Sequence, residues 1–118
     1  MSTQSTVLNE SQYSFKTRFE DGIGTNPEEL IGAAHAGCFT MKLSFLLGAE
    51  GFTPDLLETE AGVTFEDGSV SNINLSVVGK VAGISEAQFT EIAQKAKVEC
   101  PISQLLNTTI TLDIKLAE

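Results

Sequence analysis

The feature that most restricts this chain is an apolar run opened by a helix-start signal. Residues 25–30 read Thr-Asn-Pro-Glu-Glu-Leu. Asn26 suits an N-cap, Pro27 the first helical position, and Glu29 the place of a capping-box acid. From there Leu30, Ile31, Ala34, Phe39, Met41, Leu43, Phe45 and Leu46 cover nearly every side of a helix that runs to about Leu47 and stops at Gly48. A helix apolar all round has to be enclosed, so the spacing predicts a buried central element with the rest of the fold wrapped about it.

The wrapping material reads as strands and shorter helices. Residues 12–20 alternate, with Tyr13, Phe15, Thr17 and Phe19 on one side and Ser14, Lys16, Arg18 and Glu20 on the other, the period of a strand with one face on a core. A second strand is expected over 57–66, and Asp67-Gly68 marks a turn into a third that carries Ile73, Leu75, Val77, Gly79 and Val81. Ser85 caps an amphipathic helix with Phe89, Ile92, Ala93 and Ala96 inward; Cys100-Pro101 ends it and begins a short helix to Leu106. Ile110, Leu112, Ile114 and Leu116 form the face of a last strand. The expected class is α+β: an antiparallel sheet, a long buried helix carrying Cys38, and a helical pair carrying Cys100. The 118 residues, without repeats or low-complexity linkers, are read as one domain, 1–118.

Charge narrows the partners. Sixteen acidic against seven basic residues leave a net charge of −9, which opposes binding to nucleic acid or to an anionic membrane surface. The first six residues carry no basic start and apolar run, and no stretch is read as approaching membrane-spanning length, so the expected location is the cytoplasm. A reducing compartment disfavours a permanent disulfide. The two cysteines are therefore either inert core residues or redox-active ones.

The residues leave that choice open. Cys38 sits among Ala34, Ala36 and Gly37 and by itself reads first as a small core hydrophobe. Cys100 stands before Pro101 at an apparent helix N-terminus, where backbone N–H groups favour a thiolate. Their distant positions make no CxxC spacing. A metal is the competing use, with Cys38, Cys100 and His35 as soft ligands, one short of a closed tetrahedral zinc site. His35 reads more readily as a hydrogen-bonded structural residue. Arg18 reads as a solvated strand charge and Glu28 as a first-turn acid complementing the helix dipole. Serine-hydrolase, phosphate-loop and dinucleotide signatures are absent from the sequence.

Taken together, residues 24–41 (GTNPEELIGAAHAGCFTM) resemble the first cysteine motif of the osmotically inducible protein C family, and residues 100–106 (CPISQLL) resemble the second. Residues 51–54 (GFTP), 94–97 (QKAK) and 110–113 (ITLD) also fit, so the likeness covers the chain from Val7 onward. The family and its organic-hydroperoxide-resistance relatives are homodimeric thiol peroxidases. The resemblance implies Cys38 as the peroxidatic cysteine, Cys100 as the resolving one, Arg18 as the catalytic arginine and Glu28 as the carboxylate that holds it. His35 and the place of Arg18 favour the osmotically inducible branch. The chain departs from the pattern by lacking a first N-terminal strand and by having Gly37 where alanine is usual.

Read this way, the chain reduces organic hydroperoxides through a Cys38 sulfenic acid and a Cys38–Cys100 disulfide. It needs no bound cofactor, and an external dithiol, in the family a lipoyl-bearing protein, restores the thiols. A non-enzymatic redox sensor or small-ligand binder of the same fold is the alternative. Glu28 and Cys38 are separated by about 15 Å along one helix at 1.5 Å per residue. That is far for two groups sharing one Arg18 head, and an intertwined homodimer with the site divided between subunits is a geometric way around it.

Overall fold

A computed structural model describes residues 1–13 and 24–117. Arg18 and most of the strand expected over 12–20 lie outside the described residues. The chain divides into two compact units, Met1–Ile31 and Gly32–Glu118. In the first, residues 1–11 are held by local bonds such as the N-terminal amine to the Ser11 carbonyl at 3.1 Å. Tyr13 makes an isolated parallel bridge to Thr25. Helix α1, Pro27–Ala49, starts here as its sequence demands. The Asn26 side chain accepts the Glu29 N–H at 2.8 Å and satisfies one of the orphan donors of the first turn.

The second unit continues α1 and adds β1 (Pro54–Glu66), β2 (Ser69–Val81), α2 (Glu86–Glu99), α3 (Pro101–Leu105) and β3 (Thr109–Leu116). β1 and β2 form the expected hairpin, closing at Glu66↔Ser69. Asp67 and Gly68 both take positive φ, 50° and 81°, the backbone that a two-residue hairpin turn requires. Ser85 caps α2 with a complete capping box to Gln88.

The sheet is not antiparallel throughout. Its order is β1-β2-β3, and β3 runs parallel to β2, from Asn72↔Thr109 to Gly79↔Leu116. The reason is the connection: α2 and α3 form a helical crossover that carries the chain back to the end where β2 began, and only a parallel strand can follow. Periodicity shows which face of β3 is inward, but it is blind to strand direction.

One face of the sheet and one stripe of α1 make the core. His35, Phe39, Leu43, Leu46 and Leu47 of α1 are buried with Ile73, Leu75 and Val77 of β2 and Phe89, Ala93 and Ala96 of α2. Each large apolar side chain enclosed there contributes about 1.5–3 kcal/mol. Gly79 is where the Phe89 ring lies, and a Cβ at that position would collide with it. The glycine is therefore required by the packing of α2 on β2.

The expectation of a helix buried on all sides needs correction. Opposite its core stripe α1 exposes Met41 and Phe45, at 76% and 68% of their surface. The apolar residues thus form two faces: one covered by this chain's own sheet, the other bare in a single chain. By length and composition α1 is also long and apolar enough to cross a membrane, contrary to the reading of the sequence. A core helix of a water-soluble fold passes the same test, because enclosure by protein and by lipid select the same side chains.

Candidate functional site

Both cysteines are free thiols, and both lie in the second unit. Cys38 projects from the middle of α1, half-buried, while Cys100 is fully enclosed at the junction of α2 and α3. The fold brings them together: the Cys100 thiol is a hydrogen-bonding neighbour of Cys38. Beside Cys38 opens a shallow apolar groove of about 590 Å³, lined by Ala34, Gly37, Met41, Phe45, Pro101 and Ile102, with Lys42 as a charged lining residue.

The short helix acts on a different cysteine from the one its sequence position suggests. Cys100 is its N-cap residue but makes no side-chain capping bond. Pro101 occupies the first helical position and has no N–H, so the first free donor of the turn belongs to Ile102. That backbone group lies close enough to the Cys38 sulfur to pull its pKa down. The helix end therefore favours a thiolate at Cys38.

It does not prevail among the described groups. Burial pushes the Cys38 thiol above its ordinary value, and the hydrogen bond with Cys100 adds to this; the Ile102 backbone and the Lys42 ammonium pull the other way and lose. Lys42 is partly diverted, standing 4.0 Å from Glu99 and 5.4 Å from the centre of the Phe45 ring. A strongly activated Cys38 needs a further positive charge.

His35, one turn before Cys38, has no exposed surface. Its Nε2 is 2.7 Å from the Ser103 hydroxyl of α3, and its Nδ1 has no partner among the described residues. The ring is thus turned to a serine, and no cluster of three metal-ligating side chains occurs among the described residues. The cheapest tautomer places the hydrogen on Nε2, leaving Nδ1 as an unprotonated acceptor.

Burial lowers the His35 pKa from its ordinary value of 6.5. The unfolded chain therefore takes up a proton near pH 6.5 that the folded chain refuses. Stability is unaffected well above 6.5 and falls as the pH drops below it, by at most about 1.4 kcal/mol per pH unit. Urea unfolding at pH 8 and at pH 5.5 should show this loss, and His35→Gln should remove that part of the slope. An equal slope in the variant would mean that other groups carry it.

Of the remaining residues singled out in the sequence, Glu28 stands half-buried in the first turn of α1, and Arg18 lies outside the described residues. Ser103, Lys42 and the Ile102 amide escaped the sequence reading. Only the proline at the first helical position was a usable signal, since it hands the free N–H to its successor.

A thiol backed by a second thiol beneath an apolar groove, on an α+β frame, defines a two-cysteine site. The chain belongs to the OsmC-like protein family, whose model matches residues 20–115. It is 50% identical to peroxiredoxin OsmC of Escherichia coli, over 98% of this chain and 84% of that protein. It is 28% identical to the organic hydroperoxide resistance protein OhrA of Bacillus subtilis, over 80% and 68% of the two chains. The fold matches the OsmC-like protein of Mycoplasma pneumoniae with a TM-score of 0.74 at 17% identity, over 82% of this chain and 75% of the other. An organic hydroperoxide resistance protein of Legionella pneumophila gives 0.72 at 16%, over 99% and 87%.

Proposed function

We propose that this chain is a cytoplasmic thiol peroxidase that reduces organic hydroperoxides to alcohols, with Cys38 as the attacking thiol and Cys100 as its resolving partner. The observation that supports this most is the pairing of a partly exposed Cys38, at an apolar groove, with a buried thiol in hydrogen-bonding range. The kinship with a peroxiredoxin and with hydroperoxide resistance proteins points the same way.

The Cys38 thiolate attacks the outer peroxide oxygen, the O–O bond breaks, and the alkoxide leaves with a proton as alcohol. Cys38 is left as sulfenic acid. The Cys100 thiol then attacks that sulfur, water is lost, and a Cys38–Cys100 disulfide forms. An external dithiol, a lipoyl group being one chemical candidate, reduces it by exchange and is itself oxidised. No resident cofactor is needed. Arg18 is proposed to supply the missing positive charge and to donate to the departing oxygen, with Glu28 holding its guanidinium. A second copy of the chain is the proposed cover for Met41 and Phe45, giving a homodimer.

The test is turnover. With dithiol in excess, the protein should consume many equivalents of tert-butyl hydroperoxide. Consumption of a single equivalent would make it a redox sensor instead.

The groove also sets the substrate. Alkyl and aryl groups gain by leaving water for Met41, Phe45 and Ile102, and hydrogen peroxide has nothing to bury. The kcat/KM for cumene hydroperoxide should exceed that for hydrogen peroxide by at least about tenfold, the equivalent of a kcal/mol or two of burial. A ratio near one would remove the groove from the mechanism.

A further inference from the structure

The Cys100 segment rests on α1 by unexpectedly little. α3 is only five residues long and has no fully buried residue. Ile102 and Leu106 pack on the core only in part. A single helical turn with so little enclosed surface opens easily, yet Cys100 at its start has to stay within reach of Cys38. Besides the enclosed Cys100 itself, what ties it down is polar. His35, Cys38 and Lys42 are spaced three and four residues apart, so they form one stripe along α1. Opposite them stand Ser103, Cys100 and Glu99 in matching order: His35 on Ser103 at 2.7 Å, Cys38 on Cys100, Lys42 on Glu99 at 4.0 Å. The thiol pair is bracketed. The outer bracket is partly exposed, and Lys95 competes for Glu99 at 3.8 Å, so it is the weaker one. The inner bracket is strong, because breaking it strands a wholly buried imidazole N–H.

We infer that the His35–Ser103 hydrogen bond is a positioning device for the resolving step: it holds α3 on α1 so that Cys100 captures the Cys38 sulfenic acid before a second peroxide does. The inference rests on the peroxidase reading above. Its chemistry is a competition at one sulfur. Attack by the Cys100 thiol forms the S–S bond and releases water; attack on a second hydroperoxide adds an oxygen to give sulfinic acid and releases alcohol. A bond that keeps Cys100 docked favours the first route and leaves the initial attack by Cys38 unchanged.

Ser103→Ala removes the bond with a helix-tolerant residue on a half-exposed turn, so the protein should still fold. Reduced protein is treated with graded cumene hydroperoxide without dithiol, and intact mass separates disulfide from sulfinic acid. At equal peroxide, Ser103→Ala should raise the sulfinic-to-disulfide ratio by about fivefold, the size of one net hydrogen bond in an equilibrium. Ser103→Thr, which keeps the hydroxyl, should restore the wild-type ratio. The rate of the first attack should stay within about twofold in all three, and Ser103→Ala should have no effect on sulfinic acid formation in a Cys100→Ser background. An unchanged ratio in Ser103→Ala, or an effect that persists without Cys100, would overturn the inference while leaving the peroxidase intact. A wild-type protein that forms no disulfide at all would overturn both.

Discussion

Cys38→Ser is expected to abolish peroxidase turnover, and Cys100→Ser to react once and then accumulate sulfinic acid on Cys38. The asymmetry follows from where the thiols sit. Cys38 is partly exposed on the apolar groove, so a hydroperoxide can reach its sulfur. Cys100 has no exposed surface. A buried thiol without access cannot begin the reaction, but it is well placed to finish it. Without Cys100 the sulfenic acid has no internal partner, and the next peroxide carries it up the oxidation ladder. Intact mass after one and after ten equivalents of peroxide reads both steps. Oxidation of Cys100 in the Cys38→Ser protein, with activity retained, would exchange the two roles.

The second large effect is expected at Arg18. The described surroundings of Cys38 push its thiol above the ordinary value, chiefly through burial, which keeps it mostly protonated at neutral pH. An adjacent guanidinium lowers such a group by one to three units. Arg18→Ala should therefore cost about 100-fold or more in kcat/KM at pH 7. The sign of the pH dependence follows directly: with the pKa back above neutrality, the rate of the variant should climb about tenfold per unit from pH 7 toward 9, while the wild type stays nearly flat. A variant profile as flat as the wild type's would show that Arg18 does not charge the thiol. The same variant tests the division of the site. Mixed with Cys38→Ser under subunit exchange, Arg18→Ala should recover roughly a quarter of wild-type activity if Arg18 serves the partner's cysteine, because half the dimers are mixed and each has one intact site. With Arg18 and Cys38 of one subunit acting together, every site keeps a lesion and nothing returns.

Local chemistry made the elements legible. Asn26-Pro27 opens α1, Ser85 with Gln88 opens α2, and Asp67-Gly68 closes the hairpin, each because a few neighbouring residues satisfy or bend their own backbone. The two cysteine motifs pointed to the family by the same contiguity, since a motif is a local string. What the residues could not disclose were relations between distant segments. The parallel course of β3 depends on the crossover before it, and alternation along a strand is the same in either direction. Which side of α1 is covered depends on the sheet, and a helix apolar all round carries no mark of its inner face. The meeting of Cys38 with Cys100, the gift of the Ile102 N–H to Cys38, and the pairing of His35 with Ser103 arise only when α3 lies against α1. Side chains far apart along the chain become partners only through packing, and packing is a property of the whole fold.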